Sequence, residues 1–309
     1  MASMDPFATA AGGYSSVPED WMPASQTRAF MFEDPILVWL DHHGESNGFQ
    51  KDSSPYEFLH FIFEKGQGFE TKWAKEIVGS VPRVCAYAYE VYQLEKFQQT
   101  WDLMRAGTPV IAQAGLWWAP ERIHGVPDLL VLSSWLREHF PEAISDDEAA
   151  APAQNLRLPN GLGHYTVIDI KFTSNLTTSN RAVDLASYGS QLRLYSYMLG
   201  QLQGATPPRA YIVQRQPVQS LIPIDIGSAV GQALDADFAS IRDRYLDIKL
   251  NGGSWEPWTM PDMHPNMSNG DDQWDTAKKH IAENYVPGSS LDLVHQIGQQ
   301  KKSEFIARG

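Results

Sequence analysis

Apolar positions along the chain change their period near residue 109. Between Pro55 and Val78 the residues Phe58, Ile62, Phe69, Trp73 and Ile77 fall near helical spacing, interrupted at Gly66–Gly68. A shorter helical segment is expected before it, around Pro35–Asp41, and a further helix after it at Tyr89–Arg105, stopped by Gly107 and Pro109. The pattern then becomes extended. Pro109–Trp118 (PVIAQAGLWW) and Val126–Leu132 (VPDLLVL) read as strands joined through a turn at Pro120–His124. A third strand, YTVIDIKFTS at 165–174, precedes a helix from Val183 to Gln201 and a strand at Arg209–Gln214. The order helix, helix, strand, strand, strand, helix, strand predicts an α/β unit around one mixed sheet.

The flanks divide the rest. Residues 1–28 read as a flexible leader and 29–216 as the core. Within that core, 137–163 carries Asp146, Asp147 and Glu148 among alanine, proline and glycine, and is expected to be a mobile acidic insertion. Residues 217–309 form a helical C-terminal extension, with helices at Ala229–Leu250 and Asp272–Asn284 around an irregular Trp255–Asn269.

Composition narrows the class. At 43% hydrophobic and 20% charged, the chain has the content of a folded globular protein rather than a disordered one. No apolar run approaches the roughly 20 residues that span a bilayer, so no membrane association is expected. The opening MASMDPFATAAGGYSS lacks the basic and apolar regions of a secretory signal. One cysteine, Cys85, rules out an internal disulfide and any all-cysteine metal site. An intracellular protein, cytoplasmic or nuclear, is expected, and a viral or phage origin fits equally. The net charge of −13 argues against coating nucleic acid through bulk electrostatics. It leaves room for a nucleic-acid enzyme, because carboxylate-rich metal sites themselves raise the negative count.

The candidate chemistry starts in YTVIDIKFTS. Asp169 and Lys171 lie two apart on an apolar strand, so both point to one face. Charges there are costly unless that face meets water, a metal or a partner charge. Asp128 lies on the preceding strand, and if the two strands are neighbours the carboxylates of Asp128 and Asp169 approach closely. Two such carboxylates repel unless one keeps its proton or a cation lies between them. Hard oxygen donors of this kind suit Mg²⁺ or Mn²⁺. A lysine beside them can orient a water and offset charge building on a phosphate.

Pro127-Asp128 followed by Asp169-Ile170-Lys171 resembles the PD-(D/E)xK nuclease superfamily, whose core runs αβββαβ around a central mixed sheet flanked by helices. Gln191-Leu192-Arg193-Leu194-Tyr195 on the following helix is similar to the QxxxY signature of RecB-like nucleases. Its Gln191 and Tyr195 are four apart and share a helix face. Gly66-Gln67-Gly68-Phe69-Glu70 resembles the G-x-x-F-E turn of an upstream helix in some RecB-like proteins. The resemblance covers roughly residues 30–216 and implies a restriction-endonuclease-like core with helical N- and C-terminal additions.

It also implies roles. Asp128 and Asp169 are the metal-binding acids, Glu70 is a further ligand directly or through water, and the Ile170 carbonyl faces the Mg²⁺ or Mn²⁺. Lys171 is the catalytic lysine, while Gln191 and Tyr195 steady the site or contact the nucleic-acid backbone. The implied activity is hydrolysis of phosphodiester bonds in single- or double-stranded DNA, as exonuclease or endonuclease, by a metal-activated water. The cysteines that hold an iron–sulfur cluster in some RecB-like families are missing. Arg181, Arg193, Arg215, Lys278 and Lys279 are candidate phosphate contacts. A protein partner would dock on the C-terminal extension or on the 137–163 insertion.

Other readings compete. Asp41-His42-His43 resembles the motif of the DHH phosphoesterases, but nothing upstream supplies that family's other aspartate motifs, which leaves both histidines as loop residues. His124 reads as turn surface. Trp117, Trp118, Trp255 and Trp258 either stack on bases or pack, and packing is the commoner use. Asp128 with Asp169 as a glycosidase pair gives Lys171 no role. From another class, a catalytically silent nucleic-acid-binding or scaffold domain would keep the nuclease fold, although such a domain has no need of Glu70, Asp128, Asp169 and Lys171 together.

Overall fold

Tyr165–Ser174 forms the longest described strand, and the sheet is built outward from it. The computed structural model describes residues 5–52, 68, 79–156, 158–159, 162–174, 176, 182–216, 221–226, 229–270, 273–286 and 305. Its strands are β1 Met22–Pro23, β2 Val110–Ala112, β3 Leu116–Trp118, β4 Ile123–Gly125, β5 Leu129–Leu132, β6 Tyr165–Ser174, β7 Arg209–Gln216 and β8 Leu221–Asp225. Its α-helices are α1 Pro6–Ala11, α2 Thr27–Met31, α3 Ile36–Trp39, α4 Leu94–Arg105, α5 Ser133–His139, α6 Asp146–Ala150, α7 Ala182–Gln203, α8 Ala229–Asn251 and α9 Asp275–Asn284. The protein is therefore mixed α/β. Among the described residues no helix is long and apolar enough to cross a membrane.

Two compact units divide the chain, one from 1–25 with 65–239 and the other from 26–64 with 240–309. The division differs from the expected one at residues 216 and 217. Residues 29–64, expected in the core, group with the segment from 240 onward, and 217–239 group with the sheet.

In the first unit a five-stranded sheet runs in the order β2-β5-β6-β7-β8. β2, β5 and β6 are antiparallel neighbours, and β7 pairs parallel to β6 after the α7 crossover. β8, which sequence patterning missed, closes the edge antiparallel to β7. Ile168 and Ile170 point from β6 into a core with Leu129, Val131, Tyr211 and Val213. On the other face the Tyr165 hydroxyl donates to the Thr108 carbonyl at 2.7 Å, just beyond the end of α4.

Three expectations are corrected here. Pro109–Trp118 is not one strand: Gln113 takes φ of +49° between β2 and β3, which then join different sheets. The leader is packed rather than flexible across residues 5–25. Asp5 caps α1, Phe7 stacks on Phe97 at 4.8 Å, and β1 pairs with β4 in a three-stranded sheet β1-β4-β3. The described part of 137–163 is also packed. Ile144 and Ala149 sit in the core cluster beside Leu136 of α5. Tyr211 donates to the Ala143 carbonyl at 2.9 Å, and Arg209 pairs with Glu148 at 3.3 Å. The acidic run does not prevent this, because Ile144 and Ala149 suffice to seat the segment on the sheet.

The second unit is organised around Trp39, whose indole donates to the Gly252 carbonyl at 2.8 Å and meets Phe49 and Trp258 edge-on. His42 and His43 are not loop residues. They lie in a wide helical turn after α3, where His42 Nε2 is 3.3 Å from the Tyr245 hydroxyl and His43 Nε2 is 2.9 Å from the Ile248 carbonyl. Asp41 accepts from the Trp274 indole at 2.7 Å, so all three side chains of the DHH motif serve packing. Lys278, a candidate phosphate contact by sequence, is fully buried against Asp34, while Lys279 is exposed. Trp258 stacks on Tyr285 and Trp255 lies under Arg244.

Candidate active site

Alternation along β6 separates two faces of the sheet. Ile168 and Ile170 face the apolar core, which leaves Asp169 and Lys171 on the opposite face, toward α7. β5 and β6 pair with Leu129 opposite Ile168, and one further step of that register sets Asp128 opposite Asp169. Side chains in such opposed positions have Cβ atoms about 5 Å apart.

Each carboxylate is held differently. Asp128 accepts the backbone N–H of Ile170 on one oxygen at 2.7 Å and the side-chain amide of Gln113 on the other at 3.1 Å. Asp169 is 2% exposed, and its Oδ2 lies 2.7 Å from Lys171 Nζ. The angle of that contact is outside hydrogen-bond geometry, so the buried oxygen has a charge beside it and no aligned donor. A carboxylate oxygen in that state suits a cation. The Lys171 ammonium also sits 5.3 Å above the Tyr188 ring, which keeps it over the same face. Because a strand residue turns its N–H and C=O to the same side, the Ile170 carbonyl faces Asp128 as well.

α7 braces the turn that carries Asp128. Gln191 Nε2 donates to the Tyr195 hydroxyl at 2.7 Å, and that hydroxyl donates to the Val126 carbonyl at 3.2 Å. Burial, reinforced by the negative charge of Asp169, holds the Tyr195 hydroxyl well above its ordinary pKa, so it stays a neutral donor. Tyr195 lies against Gly125, where any Cβ would run into its ring edge. Glycine is required there for close approach.

The structure thus brings Asp128, Asp169, Ile170, Lys171, Gln191 and Tyr195 together. Arg193 stands apart, its Nη2 donating to the Asp225 carbonyl at the end of β8 at 3.3 Å. Glu70 and Arg181 lie outside the described residues. Among the described residues no group of three or more His, Cys, Asp or Glu side chains could hold a metal ion. The described part therefore supplies a carboxylate pair with a carbonyl. His124 is buried on the Tyr92 ring rather than on the turn surface, and Trp117 packs between Phe97 and Trp21.

Gln113 escaped the sequence reading. Its N–H donates to the Asp128 carbonyl at 2.8 Å while its side chain holds the Asp128 carboxylate, all from a left-handed backbone. The only trace in sequence is the Gln-Ala-Gly interruption of PVIAQAGLWW. Were the Asp128–Asp169 pair to hold Mn²⁺, replacing Gln113 by alanine would be expected to lower its affinity about 10-fold to 100-fold, the usual effect of removing a residue that orients a ligating carboxylate. Isothermal titration with Mn²⁺ checks it, and unchanged affinity would show that Asp128 needs no such support.

No protein-family model matches the chain, and no curated protein matches it.

Proposed function

We propose that the protein is a metal-dependent nuclease that hydrolyses phosphodiester bonds in DNA, built on the PD-(D/E)xK plan of the RecB-like group. The observation that carries this reading is the juxtaposition of Asp128, Asp169 and Lys171 on one face of β5 and β6. The succession of three antiparallel strands, a crossover helix and a parallel strand supports it.

The donor set fits Mg²⁺ or Mn²⁺, with Asp128, Asp169 and the Ile170 carbonyl as the oxygens that would hold the ion and Glu70 as the expected addition. Such an ion, when bound, supplies positive charge to a phosphoryl oxygen and lowers the pKa of water. Lys171 places an ammonium at the same face, where it counters the charge that grows on phosphate in the transition state. The Tyr188 ring under that ammonium helps to hold the charge near the carboxylates. Gln191 and Tyr195 act through the Val126 carbonyl, fixing the Pro127-Asp128 turn, and of the two roles expected for them this geometry favours steadying the site.

The test is cleavage of labelled single- and double-stranded DNA with Mg²⁺ or Mn²⁺, using the full chain. Asp169→Ala and Lys171→Ala are each expected to lower the rate about 100-fold or more, and a chelator to abolish it. Cleavage that survives both substitutions together would remove the site from consideration. DNA binding without cleavage under either metal would favour the catalytically silent scaffold.

A further inference from the structure

Six residues of the first unit present three exposed tyrosines. Tyr87 and Tyr89 are 62% and 60% exposed, and Tyr92 is 45% exposed. The first two rings are stacked, 5.5 Å between centroids and 4° from parallel. Exposed tyrosines cost solvation and are not needed for the core, so a paired display points to a ligand.

The segment that carries them is fixed. Glu90 accepts the N–H groups of Ala86 and Tyr87 and pairs with Lys96, which also donates to the Val84 carbonyl. The Val91 carbonyl accepts from the Trp117 indole, and the Tyr92 carbonyl from the N–H of Val17. Rings held on a fixed backbone lose little freedom on binding.

The segment also starts beside the candidate site. Cys85 donates its N–H to the Gln113 carbonyl at 3.0 Å, and Gln113 holds Asp128. Arg83, exposed and tied through Nε to the Cys85 carbonyl, adds a cation at its root.

We infer that Tyr87 and Tyr89 form a stacking platform for the bases of single-stranded DNA entering or leaving the Asp128–Asp169 site. The choice of DNA rests on the nuclease reading above. The charge balance supports stacking as the mode of contact: a chain of net charge −13 gains little from bulk attraction to a polyanion, and base stacking needs no net charge.

The experiment measures anisotropy of a labelled deoxythymidine strand of about 15 nucleotides, the scale of one binding groove, on the full chain in chelator. Tyr87→Ala with Tyr89→Ala is expected to weaken binding about tenfold or more, whereas Tyr87→Phe with Tyr89→Phe keeps the parent affinity. An abasic strand of equal length should bind parent and alanine variant alike. Affinity for the parent should also fall only shallowly with salt, with a slope below about 2 in log–log form, matching few phosphate contacts.

The platform is overturned if the alanine variant binds as the parent does, if the abasic strand suffers the same loss, or if the parent binds no strand. Cleavage assays separate the two readings. Tyrosine-dependent binding without metal-dependent cleavage upholds the platform and defeats the nuclease. Cleavage with tyrosine-independent binding does the reverse.

Discussion

Lys278→Met is expected to cost about 3–5 kcal/mol of stability, the usual penalty for stranding one member of a buried ion pair. Lys278 Nζ lies 2.5 Å from Asp34 Oδ2 and donates to the carbonyls of Asn266 and Asn269 at 3.0 and 2.5 Å. Asp34 also accepts the Asn266 N–H and the Asn269 amide, and both members of the pair are fully buried. Methionine would leave the carboxylate without its cation.

The variant is expected to show a stronger pH dependence than the parent, with a sign that follows from Asp34. Burial pushes its pKa up and Lys278 is the main opposing influence. The folded state already holds the Asp34 proton more tightly than the unfolded state does, and removing the lysine increases the difference. Stability then falls as pH rises above the unfolded value of about 4. Urea unfolding at about pH 5 and about pH 8 measures it. Adding Asp34→Asn should recover much of the loss, and a single-variant cost below about 1 kcal/mol would show the pair to be solvated.

Gly163→Ala is expected to cost about 3 kcal/mol or more, from backbone strain and overpacking together. The left-handed backbone alone contributes about 1–2 kcal/mol for any residue with a Cβ, and Gly163 has φ of +73°. Steric overlap adds to it. A Cβ there would collide with Ser133 Oγ and with the Ala149 carbonyl, two atoms already hydrogen-bonded to each other at 2.7 Å. Both must move, and β6 begins two residues later. Gly13→Ala is the control, because Gly13 has φ of +78° and nothing within 4 Å of the added carbon. The difference between the two melting temperatures isolates the collision, and equal shifts would mean that the 137–163 segment gives way.

What sequence patterning recovers is local. The alternation in YTVIDIKFTS yields β6, and the spacing of Gln191 and Tyr195 yields their shared face on α7. What it misses depends on contacts between distant residues. Asp34 and Lys278 lie 244 positions apart, and neither leaves a periodic trace that would join 26–64 to 240–309. The break at Gln113 lies in a backbone angle, and nothing in the identity of a glutamine announces it. Composition measures average polarity and so suggests a mobile 137–163, whereas Ile144 and Ala149 suffice to anchor its described part.

The alternation of β6 has a consequence for how this protein can change over generations. Of its odd positions Tyr165 and Val167 are buried apolar residues, and Asp169 and Lys171 alone place charge on that face. Asp169 is a buried carboxyl group, and an apolar residue in its place would remove the cost of burying it. Under the nuclease proposal, lineages released from selection for cleavage would therefore shed Asp169 early and keep Ile168 and Ile170, leaving a sturdier chain without the proposed chemistry.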